Sequence, residues 1–164
     1  MEPARTGVVR PLVEVLHMEV QTTRFGTITI ADDRVITFPK GILGFPSCKR
    51  YCLLEQGDDC AFFWLQSLED PSLAFVITDP MLFVPDYRVP IRHEQMEDLK
   101  LARVEDAHVF CIVNKVLDTL TCNLQGPLVV NTMTKEGEQM VLAEKKWTTR
   151  HLLVRVPQAQ PAAA

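Results

Sequence analysis

Apolar and polar residues alternate in short runs along most of this chain, and proline, glycine and acidic turn residues separate the runs, which predicts successive β-strands. Phe25 to Ile30 alternates as a half-buried strand does. Asp32 and Asp33 supply a hairpin turn, and Val35 to Phe38 returns as a strand that Pro39 ends. Gly41 and Gly44 permit the backbone angles of an irregular loop, with Phe45 as the anchor that pins it. Tyr51 to Leu54 is a further strand, and the polar run from Gln56 to Asp59 turns the chain. The densest stretch follows. Phe62 to Gln66 and Leu73 to Ile77 are the two arms of a hairpin whose loop, Glu69 to Ser72, carries Pro71 to interrupt the ladder and Asp70 to accept nearby amide protons.

Pro80, Pro85 and Pro90 then keep the chain extended as a strap bearing Phe83 and Tyr87. His93 to Leu101 predicts the one helix, about two turns long, with Met96, Leu99 and Leu101 inward and Glu94, Glu97 and Asp98 in solvent. Val109 to Val113 reads as a fully buried strand and Thr119 to Leu124 as an alternating one. Gly126 and Pro127 make a break before Leu128 to Val130, and Lys135 to Glu138 turns into a strand from Gln139 to Leu142. Short strands at this spacing predict an all-β fold, mainly antiparallel and barrel-like or a sandwich, with one or two short helices. We place one β-domain over residues 18–154, between an extension over 1–17 and a disordered tail over 155–164 that lacks large apolar residues.

Length and composition agree with this. A chain of 164 residues with 47% hydrophobic and 23% charged residues can bury one core. The formal net charge of −4 disfavours phosphate backbones and favours a basic protein partner, and a basic stripe with interleaved aromatics, the mark of direct nucleic-acid binding, is missing. The five cysteines are irregularly spaced, which fits a reduced cytoplasm, and no apolar run approaches the roughly 20 residues that span a bilayer.

The sequence contains no phosphate loop, nucleophile elbow or zinc-protease motif, so neither an enzyme nor a cofactor is expected. Cys48, Cys52 and Cys60 with His93 or His108 are the only metal-site alternative, but their spacing is wrong for a knuckle. Cys52, Cys111 and Cys122 read as small core residues on strands, and no metal is expected. Asp70, Asp79 and Asp86 each adjoin a proline and read first as turn carboxylates. The alternative is an acidic protein-binding face in which Asp70, Asp79 and Asp86 join Glu69, Glu94, Glu97 and Asp98. Phe83 reads as core, and Tyr87, between Asp86 and Arg88, as an aromatic anchor at an interface. Asn131 reads as structural, and His151 either closes the fold or touches a partner.

Several multi-residue motifs together resemble the FliW family of flagellar assembly factors. They are Thr23-Arg24-Phe25-Gly26, placed as the family's first strand, and Phe38-Pro39-Lys40-Gly41-Ile42-Leu43-Gly44-Phe45. Leu65-Gln66-Ser67, Asp70-Pro71-Ser72-Leu73-Ala74-Phe75-Val76, Asp79-Pro80, Phe83 and Pro85-Asp86-Tyr87 follow in order. The block Asn123-Leu124-Gln125-Gly126-Pro127-Leu128-Val129-Val130-Asn131, with Gln139 and Val141-Leu142, is similar to the family's, with Gly126 where alanine is usual. The resemblance runs from about Met18 to His151. It implies a non-catalytic, chaperone-like protein of the cytoplasm that binds newly made flagellin and, once flagellin is exported, the basic translational regulator CsrA, so coupling flagellin synthesis to export. It also implies two kinds of surface. The terminal segments of flagellin are amphipathic helices that call for an apolar groove, for which the strap from Phe83 to Tyr87 is the candidate, whereas CsrA calls for carboxylates. A small β-barrel enzyme or ligand-binding domain is the alternative.

Residues 1–17 have no counterpart in the resemblance, and Met18 is the expected initiator. The alternative is an arm whose Val8, Leu12, Val13 and Leu16 dock on the domain. Intact-mass spectrometry of the protein isolated from its native source is expected to give a chain beginning at Met18; a mass beginning at Met1 rejects this start.

Overall fold

A computed structural model describes residues 16–55 and 61–155. The expected turn at Gln56 to Asp59, Cys60, the N-terminal arm up to residue 15 and the tail from residue 156 lie outside the described residues. The strands are β1 (His17–Thr22), β2 (Gly26–Ala31), β3 (Val35–Thr37), β4 (Arg50–Glu55), β5 (Phe62–Ser67), β6 (Ala74–Thr78), β7 (Ala107–Val116), β8 (Thr119–Cys122), β9 (Leu128–Asn131), β10 (Gly137–Gln139) and β11 (His151–Arg155), with one helix, α1 (His93–Asp98). All the strand pairings between these elements are antiparallel.

The expected hairpin at the centre is present, with Leu65 opposite Phe75 and Phe63 opposite Ile77. Around it the main sheet runs β10-β9-β7-β6-β5-β4-β3. The first half of β7 pairs β9 and its second half pairs β8, which in turn pairs β11. The alternation of the pleat sorts each strand onto two faces. Ile36, Tyr51, Leu65, Ile77, Phe110, Leu128 and Val130 converge on the inner face of the curled sheet, with Phe63, Phe75 and Ile112 packed against them. Phe38 meets Tyr51 edge to face at 5.7 Å within the same cluster.

The outer face is also apolar, and three separate segments cover it. The β1-β2 hairpin lays Val20 and Ile30 over Cys52, beside Val35 and Leu54. The proline strap brings Val84 and Tyr87 over Cys111, Val113 and Cys122, together with Trp147 and Leu142. Leu99 and Leu101, at the exit of α1, close over Val129 and Met140, with Met96 half-buried beside them as expected.

Three expectations are corrected. Asp32 to Arg34 is a single tight helical turn and not a hairpin bend, so β2 pairs back onto β1 and β3 goes on to β4. Thr23 to Phe25, placed in a strand, forms the β1-β2 turn, in which the Thr22 hydroxyl accepts from Phe25 N–H and donates to Gly26 O. β1 begins at His17 and β11 ends at Arg155. The strand from Gln139 to Leu142 stops at Gln139, although Met140 and Leu142 still donate to Pro127 O and Gln125 O.

The sheet curls but is not a closed barrel. Its ends, β3 and β10, meet at one isolated bridge from Thr37 to Glu136, where Thr37 N–H donates to Lys135 O at 2.9 Å. Gly137 allows this approach, because a Cβ there would lie 2.6 Å from the Phe38 ring. At Gly126 a Cβ would meet only the amide ends of Asn123 and Gln139, at 2.9 and 3.0 Å. Gly137→Ala is therefore expected to cost about 1–3 kcal/mol through overpacking, and Gly126→Ala no more than about 0.5 kcal/mol as a side-chain adjustment. Urea unfolding midpoints of the two variants check the contrast.

Candidate protein-binding surface

Eight of the residues singled out from the sequence sit on three elements. Glu69 and Asp70 occupy the β5-β6 loop, Phe83, Asp86 and Tyr87 the strap, and Glu94, Glu97 and Asp98 the helix α1. Among the described residues no hydrogen bond or ion pair links one of these groups to another.

In the loop, the Glu69 carboxylate accepts from Arg50 N–H at 3.2 Å and lies 3.3 Å from Arg50 Nε. Asp70 accepts from the Ser72 hydroxyl at 2.7 Å and from Ser72 N–H at 2.9 Å, bonds that hold its carboxyl below the usual carboxylate range. Asp79 accepts from Met81 N–H at 2.9 Å and lies 3.5 Å from His108 Nε2. Both aspartates thus act as the expected turn carboxylates. Asp86 differs: its carboxylate meets Lys146 Nζ at 3.2 Å, which lowers its pKa.

Tyr87 is not the exposed anchor expected of it. It is 1% exposed, its hydroxyl donates to Leu124 O at 2.6 Å, and its ring meets Trp147 edge to face at 4.9 Å. Burial pushes the phenol pKa well up. A carbonyl acceptor held beneath the strap makes the inward orientation the favourable one, because the phenol then buries its ring without losing a hydrogen bond. Phe83 is half-buried against Phe62, ring centroids 5.8 Å apart, in the same cluster. The strap therefore turns its aromatic side chains inward, Tyr87 fully and Phe83 in part, and does not present Tyr87 to the surface as an anchor.

On α1, Glu94, Glu97 and Asp98 are exposed, as expected. Glu97 lies 3.0 Å from His93 Nε2, one turn away. Asp98 shares Lys40 Nζ with Glu138, at 3.4 and 2.8 Å, and Lys100 Nζ meets Glu136 at 3.2 Å. These two acceptors, with the Glu138 hydrogen bond the stronger influence, raise the Lys40 pKa.

Sequence reasoning gave the segment from Lys40 to Phe45 too small a part. Gly41 and Gly44 adopt φ of 71° and 90°, a region that an L side chain rarely enters. Gly41 N–H donates to Phe38 O, Phe45 N–H to Ile42 O and Leu43 N–H to Gln139 Oε1. Ile42 is buried beneath the loop while Leu43 is 65% exposed. Phe45 rests on Phe75 at 5.3 Å, as an anchor does, yet is 39% exposed. A depression of about 380 Å³ lies beside it, lined by Lys40, Gly41, Leu43, Gly44, Pro46 and Gln139. The signal available in the sequence was a pair of large apolar residues next to turn glycines, where polar residues are usual.

Among the described residues the cysteines fall in three separate clusters. Cys48 belongs to the inner core and Cys52 to the cluster under the β1-β2 hairpin, while Cys111 and Cys122 adjoin one another under the strap. His93 pairs Glu97, and His108 stacks on Phe110 at 4.3 Å. Among the described residues no three His, Cys, Asp or Glu side chains form a metal-binding group. Nor is any helix among them long and apolar enough to cross a membrane.

The family described as FliW protein matches residues 19–153. The chain is 39% identical over 136 residues to the flagellar assembly factor FliW of Treponema denticola, covering 82% of this chain and 92% of that protein. It is 40% identical over 140 residues to that of Alkaliphilus metalliredigens, covering 84% and 86%. A crystal structure of the flagellar assembly factor FliW superposes with a TM-score of 0.76 at 31% identity, covering 84% of this chain and 97% of that one.

Burial raises the Cys52 thiol from 9.0 to about 11. The folded state thus holds this proton more tightly than the unfolded chain does, so the associated stability is complete below pH 9 and is lost as pH rises toward 11. Between pH 8 and pH 10.5 the fall in stability measured by urea unfolding is expected to be smaller by about 2 kcal/mol in Cys52→Ala than in the unaltered protein, because the other buried phenols and thiols with raised pKa values contribute to both alike.

Proposed function

The chain belongs to the FliW family, whose named members are flagellar assembly factors, and from that premise we propose that it acts in the cytoplasm by binding flagellin and the translational regulator CsrA in turn. Flagellin occupies it while synthesis outpaces export. Export of flagellin frees it to capture CsrA, and capture relieves the repression of flagellin translation. The protein transforms no molecule; it works by occupancy.

The observation that carries this reading is the family match along nearly the whole β-body. Two physical features support it. The chain carries a formal net charge of −4, which steers association with a basic partner and weakens it as salt screens the charges. Among the described residues the groups with displaced pKa values are divided between the inner core (Tyr51), the cluster under the β1-β2 hairpin (Cys52), the cluster under the strap (Tyr87, Cys111 and Cys122) and separate loops (Asp70 and Asp86), whereas the acid and base groups of an enzyme converge on one cavity. The exposed carboxylates of Glu94, Glu97 and Asp98 on α1 are the segment we assign to CsrA.

Charge reversal of all three, Glu94→Lys, Glu97→Lys and Asp98→Lys, is expected to weaken CsrA binding by about ten-fold or more at low salt and to flatten its salt dependence. Calorimetric titration with purified CsrA checks this, and unchanged affinity removes α1 from the interface.

A further inference from the structure

Two of the cysteines meet under the strap. Cys122, the last residue of β8, stands opposite Val113 on β7, and Cys111 lies two residues before Val113, so side-chain alternation puts both thiols on one face as diagonal neighbours. Both are 0% exposed and belong to one cluster, and the Cys111 thiol donates to the Cys122 sulfur. Cys48 faces the inner core and Cys52 lies under the β1-β2 hairpin, so among the described residues neither has a second cysteine in its cluster.

The backbone at this point has room to adjust. Cys111 sits where β7 changes partners: Phe110 is the last residue paired to β9, and the pairing to β8 runs from Val113, with Asn123 N–H donating to Ile112 O. On its other side Cys111 pairs with Thr78 of β6. A bond between diagonal neighbours has to draw their Cβ atoms to about 4 Å. The step from one ladder to the next, facing the end of β8, is where such a shift disturbs the fewest backbone hydrogen bonds.

The shared proton sets the order of reaction. The hydrogen bond from Cys111 lowers the pKa of Cys122 and, together with burial, raises that of Cys111, so Cys122 is the sulfur that ionises and attacks. The cover selects the oxidant. Val84, Tyr87, Leu142 and Trp147 enclose the pair in apolar surface, which turns away charged oxidants and admits a small uncharged one when the strap lifts. The strap is held down by the bond from Tyr87 to Leu124 O and, at its exposed rim, by Asp86 and Lys146.

We propose that Cys111 and Cys122 form a reversible dithiol site for small uncharged peroxides, closing to a disulfide beneath the strap. The Cys122 sulfur attacks one oxygen of hydrogen peroxide and the O–O bond breaks. The departing hydroxide takes the thiol proton and leaves as water, and Cys122 becomes a sulfenic acid. The Cys111 sulfur then attacks the Cys122 sulfur, the S–O bond breaks, and hydroxide leaves with the Cys111 proton as a second water. The two thiols have lost two electrons and two protons, and the peroxide has taken up both. A dithiol reductant restores the thiols by exchange. In a reducing compartment the pair stands as thiols, and the bond forms only while peroxide is supplied.

The test uses the full folded chain with hydrogen peroxide as the probe. Peptide mapping without reductant is expected to join the peptide carrying Cys111 to the one carrying Cys122, the intact mass to fall by two hydrogen atoms, and dithiothreitol to restore it. Tyr87→Phe, which removes the hydroxyl and keeps the ring, is expected to speed closure about three-fold or more. Thiols left unmodified in the folded chain, sulfinic acids without a disulfide, or a disulfide that joins Cys48, Cys52 or Cys60 instead overturns the site. Closure no faster in Tyr87→Phe overturns the part assigned to the strap.

Discussion

A curled sheet that is apolar on both faces has to hide both, and most of this architecture answers that requirement. The inner face hides itself, because Leu53, Leu65, Phe75, Ile77 and Ile112 are cross-strand or near neighbours that curl onto Phe38, Phe110 and Leu128. The outer face cannot do this. It is covered by a hairpin, an extended strap and the exit of a short helix, each bringing two or more large apolar residues. At about 1.5–3 kcal/mol for each large apolar side chain fully buried, losing any one of these covers would remove several kcal/mol from a domain of ordinary marginal stability.

The same requirement explains why so many polar residues of the recurring motifs turn out to hold backbone. Gln66, fully buried, donates its two Nε2 hydrogens among Ser67 O, Pro71 O and Leu73 O, which lie 3.1–3.3 Å away, and so shapes the β5-β6 loop. Asn123 accepts from Gly126 N–H to make the turn before β9. Asn131 donates to Leu99 O and Lys100 O and accepts from Met133 N–H, joining the end of α1 to the β9-β10 turn. Tyr87 belongs with them through its bond to Leu124 O. Loops of a small β-body that press against a core leave backbone groups without water, and short amides and hydroxyls are the side chains able to satisfy them. Residues of this kind look like chemistry in a sequence and are scaffolding in the fold.

A frame built in this way offers partners a surface of loops and exits. The carboxylates of α1 and the apolar loop at Leu43 are neighbours through Lys40, which touches Asp98 on one side and lines the depression beside that loop on the other.

Strand periodicity, the turn at Glu69 to Ser72 and the position of the α-helix were legible from local pattern. The central hairpin from Phe62 to Thr78 and the inward set of Met96, Leu99 and Leu101 follow from side-chain alternation and helical spacing alone. Membership of the family was legible as well, in motifs that lie in the same order. Pairing was not: whether β2 joins β3 or turns back on β1 depends on which apolar face finds cover, and Val20, Ile30 and Cys52 meet only once the sheet exists. Tyr87 could be placed inward only by locating the Leu124 carbonyl 37 residues away, and the prominence of Leu43 only by seeing Ile42 take the buried place beside it. Local sequence determines what each segment is able to form. Burial and hydrogen bonding between distant segments decide which side of it faces the solvent, because those free energies do not exist until the chain has closed on itself.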